Sequence, residues 1–115
     1  MKALLIDDER LARGELRRLL ADAPQIEVVG EASNADEARE QLKKLKPDLL
    51  FLDVQMPGET GLDLLETLEP PAPLVIFTTA YDEFAVKAFE LNALDYLLKP
   101  VDPARPVRLP GERGL

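Results

Sequence analysis

Cysteine and histidine are both absent from the 115 residues. Their absence excludes a disulfide framework, a zinc site built on thiolate or imidazole, a cysteine or serine–histidine nucleophile, and a phosphohistidine carrier. Any metal held here must be a hard ion bound through oxygen. Basic residues are also scarce: 14 Lys and Arg against 22 Asp and Glu leave a net charge of −8. Nucleic-acid contact needs clustered Lys and Arg, so this balance argues against direct contact. Long apolar runs are missing. The start, Met1-Lys2-Ala3-Leu4-Leu5-Ile6, reaches Asp7 and Asp8 after too short an apolar run for a signal peptide. No stretch nears the roughly eighteen apolar residues of a membrane span. A soluble cytoplasmic chain with no membrane contact is the expectation.

What is present suits one packed domain, with 46% apolar and 31% charged residues. Short apolar runs alternate with amphipathic segments. Ala3–Ile6 reads as a buried strand, and Ala12, Leu16, Leu19, Leu20 and Ala23 then recur at helical spacing. Arg10, Arg13, Arg17 and Arg18 are assigned to the solvated side of that helix. Residues 26–32 are β-branched but carry charge, as an edge strand with one wet face does. Asn34 and Glu37 resemble a capping box ahead of a second helical stripe, Ala38, Leu42 and Leu45. Asp48–Asp53 and Leu74–Phe77 read as central strands. Between them Thr60 can cap a third helix carrying Gly61, Leu64, Leu65 and Leu68. Asp82 is the expected cap of a fourth helix with Phe84, Ala88 and Leu91 on one face, ended by a left-handed Asn92. Asp95–Leu98 makes a last short strand before Lys99-Pro100.

Strands alternating with helices imply a parallel sheet covered on both faces. Apolar first, third and fourth strands with weaker second and fifth strands give the order 2-1-3-4-5, a flavodoxin-like doubly wound α/β fold. A fifth helix is expected after Pro100, but Pro103, Pro106, Pro110 and Gly111 leave it short or missing. The expected organisation is one domain over residues 1–102 and an irregular Pro-rich tail over 103–115.

In such a sheet, ligands bind outside the carboxyl ends of the strands at the switch point. Asp7 and Asp8 follow the first strand, Asp53 ends the third, Thr78 and Thr79 close the fourth, and Lys99 follows the fifth. Three carboxylates brought this close require a cation. Without His or Cys, the fitting ion is Mg²⁺ or Mn²⁺, held by Asp7 and Asp8 with the Gln55 backbone carbonyl as a further ligand. Carboxylates, a hard ion, a lysine and a hydroxyl suit phosphoryl transfer, with Asp53 the best-placed nucleophile.

These residues carry a resemblance. Leu5-Ile6-Asp7-Asp8-Glu9, Leu52-Asp53-Val54-Gln55-Met56-Pro57 with Gly61, Phe77-Thr78-Thr79-Ala80, and Ala93–Pro100 occur in the order found in response-regulator receiver domains of two-component systems, the CheY-like family. The resemblance covers residues 1 to about 102. It implies Asp53 as phosphoacceptor, with Asp7, Asp8, Asp53 and the Gln55 carbonyl around Mg²⁺. It further implies Lys99, before a cis proline, as the phosphoryl contact, Thr79 as the switch hydroxyl, and Tyr96 as the aromatic that turns inward on activation. The implied partner is a sensor histidine kinase, whose phosphohistidine donates to Asp53. The implied output face is the fourth helix and fifth strand, which can also form a homodimer. No enzymatic role is implied beyond the domain's own phosphotransfer and slow autodephosphorylation, for which small Ala80 leaves water a path. The stretch Thr79–Phe89 is similar to receivers that precede a LytTR-type DNA-binding domain, absent from these residues.

Each residue also has a plainer role: Asp8 as a helix cap, Asp53 as a turn acid, Thr79 as a capping hydroxyl, Lys99-Pro100 as an exit turn, Tyr96 as core. Their joint occurrence at four strand ends outweighs those roles. Arg10 or Arg13 could serve kinase docking, and Phe84 and Phe89 fit core or dimer contacts. The competing functions are a stand-alone receiver acting by protein contact or as a phosphate sink, and a haloacid-dehalogenase-like phosphatase. The latter wants an Asp-x-Asp after the first strand, which Ile6-Asp7-Asp8-Glu9-Arg10 does not supply.

Overall fold

The computed structural model describes residues 1–104, 107 and 109. Five strands and four helices alternate: β1 Lys2–Ile6, α1 Arg10–Leu20, β2 Glu27–Ala32, α2 Ala35–Leu45, β3 Leu49–Asp53, α3 Gly61–Thr67, β4 Leu74–Thr79, α4 Ala85–Glu90 and β5 Asp95–Leu98. All strand pairs are parallel, in the order β2-β1-β3-β4-β5. The flavodoxin-like order read from the apolar runs is therefore the one adopted. β3 is buried along its whole length, whereas β2 is largely half-buried and sits at the edge.

Side chains cap α2 and α3 but not α1, whose N-cap is Glu9 rather than Asp8, nor α4. Thr60 and Asp63 exchange both bonds of a capping box at the start of α3. Asn34 caps α2 by accepting from the Glu37 amide, but the Glu37 carboxylate turns to the amide and hydroxyl of Ser33, so the box is only half made. Asp82 does not cap α4 with its side chain. The helix starts at Ala85 after Phe84, and only the Asp82 carbonyl engages, accepting from the Ala85 amide. Asn92 is left-handed, as its position after α4 predicts.

Two apolar layers sandwich the sheet. One joins Leu4, Ile6, Leu50, Leu52, Val75, Phe77 and Tyr96 to residues of α2, α3 and α4. The other joins Ala3, Leu5, Phe51, Ile76 and Leu97 to Leu16 and Leu20 of α1. Among the described residues α1 alone covers this second face, with Val101, Val107 and Leu109 packed beside it. No fifth helix appears among the described residues. Pro103 and Ala104 form a turn, with the Asp102 carboxylate accepting from the Ala104 amide at 2.9 Å. The rest of the expected tail, residues 105, 106, 108 and 110–115, lies outside the described residues. No helix among those described is long and apolar enough to cross a membrane.

Candidate functional site

Strand register assembles the site. Ile6 pairs with Leu52, Asp53 with Thr78, and Thr79 with Leu98. Asp7 and Lys99, one residue beyond Ile6 and Leu98, therefore emerge at the same edge as Asp53 and Thr79. Apolar strand interiors thus place polar residues together only where the strands end.

Asp7 and Asp53 are buried and Asp8 is exposed, and one carboxylate oxygen from each lies within 4.8 Å of the others. Lys99 Nζ donates to Asp7 Oδ2 at 2.7 Å and lies 3.5 Å from Asp53 Oδ2. Asp7 Oδ1 accepts from the Glu9 amide, and Asp53 Oδ1 accepts from the Gln55 amide at 3.1 Å. Burial, then the Asp7 charge, push the Asp53 carboxyl from 3.8 up to about 7, against the pull of Lys99 and the Gln55 amide. Burial disfavours the Lys99 ammonium, but the Asp7 hydrogen bond and the charges of Asp53 and Asp7 outweigh it and raise its pKa. One ammonium thus serves two buried carboxylates, with a third at the rim. The cluster is short of positive charge, and its all-oxygen donor set fits a hard divalent cation.

The peptide before Pro100 is cis, as the resemblance implies. Thr79 is fully buried, and its Oγ1 accepts from the Tyr81 amide at 3.2 Å. Tyr96 lies outside the carboxylate cluster. Its ring is already inside the core, tilted against Phe77, and its hydroxyl donates to the Tyr81 carbonyl at 2.5 Å. Thr79 and Tyr96 thus hold opposite sides of the same loop residue.

Two residues touch the site in ways the sequence did not foresee: Gly61, quoted only as part of the motif around Asp53, and Arg13. Gly61 approaches the Asp53 backbone so closely that a Cβ would stand 2.2 Å from the Asp53 carbonyl oxygen. Its amide also donates to the Val54 carbonyl. Arg13, assigned to the solvated side of α1, is instead mostly buried and donates to the Asp7 carbonyl at 2.6 Å. The signal was available, because Arg13 falls at i, i+3 and i+7 with Leu16 and Leu20.

The family model of the response regulator receiver domain matches residues 3–109. This chain belongs to that family. It is the receiver domain of a two-component response regulator, and the relatives it matches are regulatory proteins. It is 58% identical over 106 residues to an uncharacterized response regulatory protein of Vibrio cholerae, covering 91% of this chain and 45% of the relative. It is 53% identical to the transcriptional regulatory protein BtsR of Escherichia coli K12, covering 91% of this receiver and 44% of BtsR. The receiver therefore spans less than half the length of these curated relatives. Among solved structures, the response regulatory domain of mrkE from Klebsiella pneumoniae superposes with a TM-score of 0.83 at 37% identity. That match covers 91% of this chain and 88% of the other.

Proposed function

We propose that the domain accepts a phosphoryl group on Asp53 from the phosphohistidine of a sensor histidine kinase. The observation carrying this reading is a buried Asp53 carboxylate flanked by Asp7 and Lys99 at the open end of the sheet. In the transfer, an Asp53 oxygen bonds to phosphorus as the phosphorus–nitrogen bond of the donor breaks. Lys99 orients the phosphoryl group and offsets its charge. Asp7, Asp8, Asp53 and the Gln55 backbone carbonyl would hold Mg²⁺ or Mn²⁺. When bound, that ion supplies positive charge for the phosphoryl oxygens.

Thr79 then exchanges its bond from the Tyr81 amide for one to a phosphoryl oxygen. Tyr81 passes the change to Tyr96, already held inside through the Tyr81 carbonyl, and so to the surface of α4 and β5. That surface exposes Val86, Phe89 and Leu98, which suits an output domain or a second copy of the chain. The output we propose is transcription through a LytTR-type DNA-binding domain outside these residues. The greater length of the relatives, the regulatory name of BtsR and the Thr79–Phe89 pattern support it. The receiver unit is placed at residues 1–102, with 103–115 a Pro-rich extension, and the setting is the cytoplasm. Its only catalysis is its own phosphotransfer and slow dephosphorylation, with water entering past exposed Ala80.

Incubation with a small acyl phosphate and Mg²⁺ should add one phosphoryl group, read by intact-mass spectrometry. Asp53→Asn should gain none. A variant that still labels to the same extent overturns the assignment.

A further inference from the structure

α1 carries four arginines, of which Arg10, Arg17 and Arg18 are exposed. Arg13 differs, with 14% of its side chain exposed against 47% for Arg17. Its Nη1 donates to the Asp7 carbonyl at 2.6 Å, and its Nε donates to Glu31 Oε1 at 2.6 Å. The other Glu31 oxygen accepts from Arg17. A guanidinium is a rigid planar fork, so an arm anchored on Glu31 fixes where the other arm holds the Asp7 carbonyl.

That carbonyl belongs to the peptide joining Asp7 to Asp8, and a peptide is planar. Holding its oxygen sets the plane from which the Asp8 chain departs. On the following side, Asp7 Oδ1 accepts from the Glu9 amide. Asp8 is exposed, so its backbone and its side-chain hydrogen bond with Asp53, rather than core packing, direct it. The geometry points to Arg13 as a positioning residue. By holding the Asp7 carbonyl it sets the spacing of the Asp7 and Asp8 carboxylates, and with it the affinity of the cluster for a hard divalent cation. This inference rests on the Mg²⁺ reading of the cluster given above.

A purely structural role would be to tie α1 to β2 through Glu31. Arg17 makes that tie without touching Asp7, so Arg17→Gln isolates it. The test is Mg²⁺ titration by calorimetry on the 115-residue chain, with thermal unfolding of the metal-free proteins to check that each variant is folded. Arg13→Gln should weaken Mg²⁺ binding about tenfold, as loss of a group orienting a metal ligand does. Arg17→Gln should stay within about twofold of the parent, as an exposed ion pair predicts. Arg13→Lys keeps the charge but not the fork, so it should also bind more weakly; it is the decisive variant if Arg13→Gln does not fold. Binding by the folded Arg13 variant within about twofold of the parent overturns the inference. Equal weakening by Arg17→Gln does so too. A parent chain that takes up no Mg²⁺ overturns the cation reading itself and the inference with it, an outcome distinct from both others.

Discussion

At Asp53, burial and the neighbouring Asp7 charge act in the same direction, and the carboxyl titrates near 7 without a cation. The folded chain therefore holds this proton more tightly than the unfolded chain does. By linkage, Asp53 makes the metal-free fold lose stability as pH rises from about 4 to about 7, and nothing further changes above that. A shift of this size corresponds to about 4 kcal/mol at most. Asp53→Asn removes the buried charge but forfeits its attraction to Lys99. The variant should therefore be more stable than the parent by about 1–2 kcal/mol at pH 8 in chelator, with the gain fading toward pH 4. Urea unfolding at several pH values reads it; a variant less stable at pH 8 would contradict this electrostatic account. Mg²⁺ affinity should rise with pH up to about 7, because the Asp53 proton must leave before the carboxylate can act as a ligand.

Among the helices, α3 begins against the backbone of the reacting residue. Gly61 opens it, and its missing side chain lets the helix approach the Asp53 carbonyl. Gly61→Ala should cost about 3 kcal/mol, because the obstacle is backbone and cannot swing aside. It should also slow labelling of Asp53. Gly14, within α1, has nothing within 4 Å of an added Cβ. Gly14→Ala should stabilise by about 0.5–1 kcal/mol through helix propensity. Chemical denaturation of the pair checks both signs. The elements themselves were largely legible because apolar runs and helical stripes report burial directly, as in β3 and α1. Asp53, Asp7, Asp8 and Lys99 were legible as a group because each stands at a strand end. The start of α4 was not, because Asp82 has the right chemistry for a cap while the chain begins its helix later, at Ala85. Nor was the place of Arg13, whose charge argued for solvent while its spacing argued for the core. Gly61 read as part of a helix pattern and of the motif around Asp53, and the three-dimensional approach to the Asp53 carbonyl gives its physical reason.

Across the whole molecule, the site and the surface it would control lie on different elements that meet at the end of β5, where exposed Leu98 precedes Lys99. The carboxylates stand just after β1 and at the last residue of β3, whereas Val86, Phe89 and Leu98 are exposed on α4 and β5. Tyr81, bonded on one side to Thr79 and on the other to Tyr96, links the two. If phosphorylation turns this face into a contact between copies, Phe89→Glu should leave labelling of Asp53 intact and abolish any phosphorylation-dependent dimer seen by sedimentation. A labelled Phe89→Glu protein that dimerises like the parent would move the contact elsewhere.

The central claim is that Asp53 is the residue that carries the phosphoryl group. Its most direct test is borohydride reduction of the chain after exposure to an acyl phosphate and Mg²⁺, followed by peptide mass spectrometry. An acyl phosphate on Asp53 is reduced to leave homoserine at position 53, dependent on both the donor and the metal. Homoserine at Asp7 or Asp8, or at no position while the chain still gains a phosphoryl group, would contradict the account.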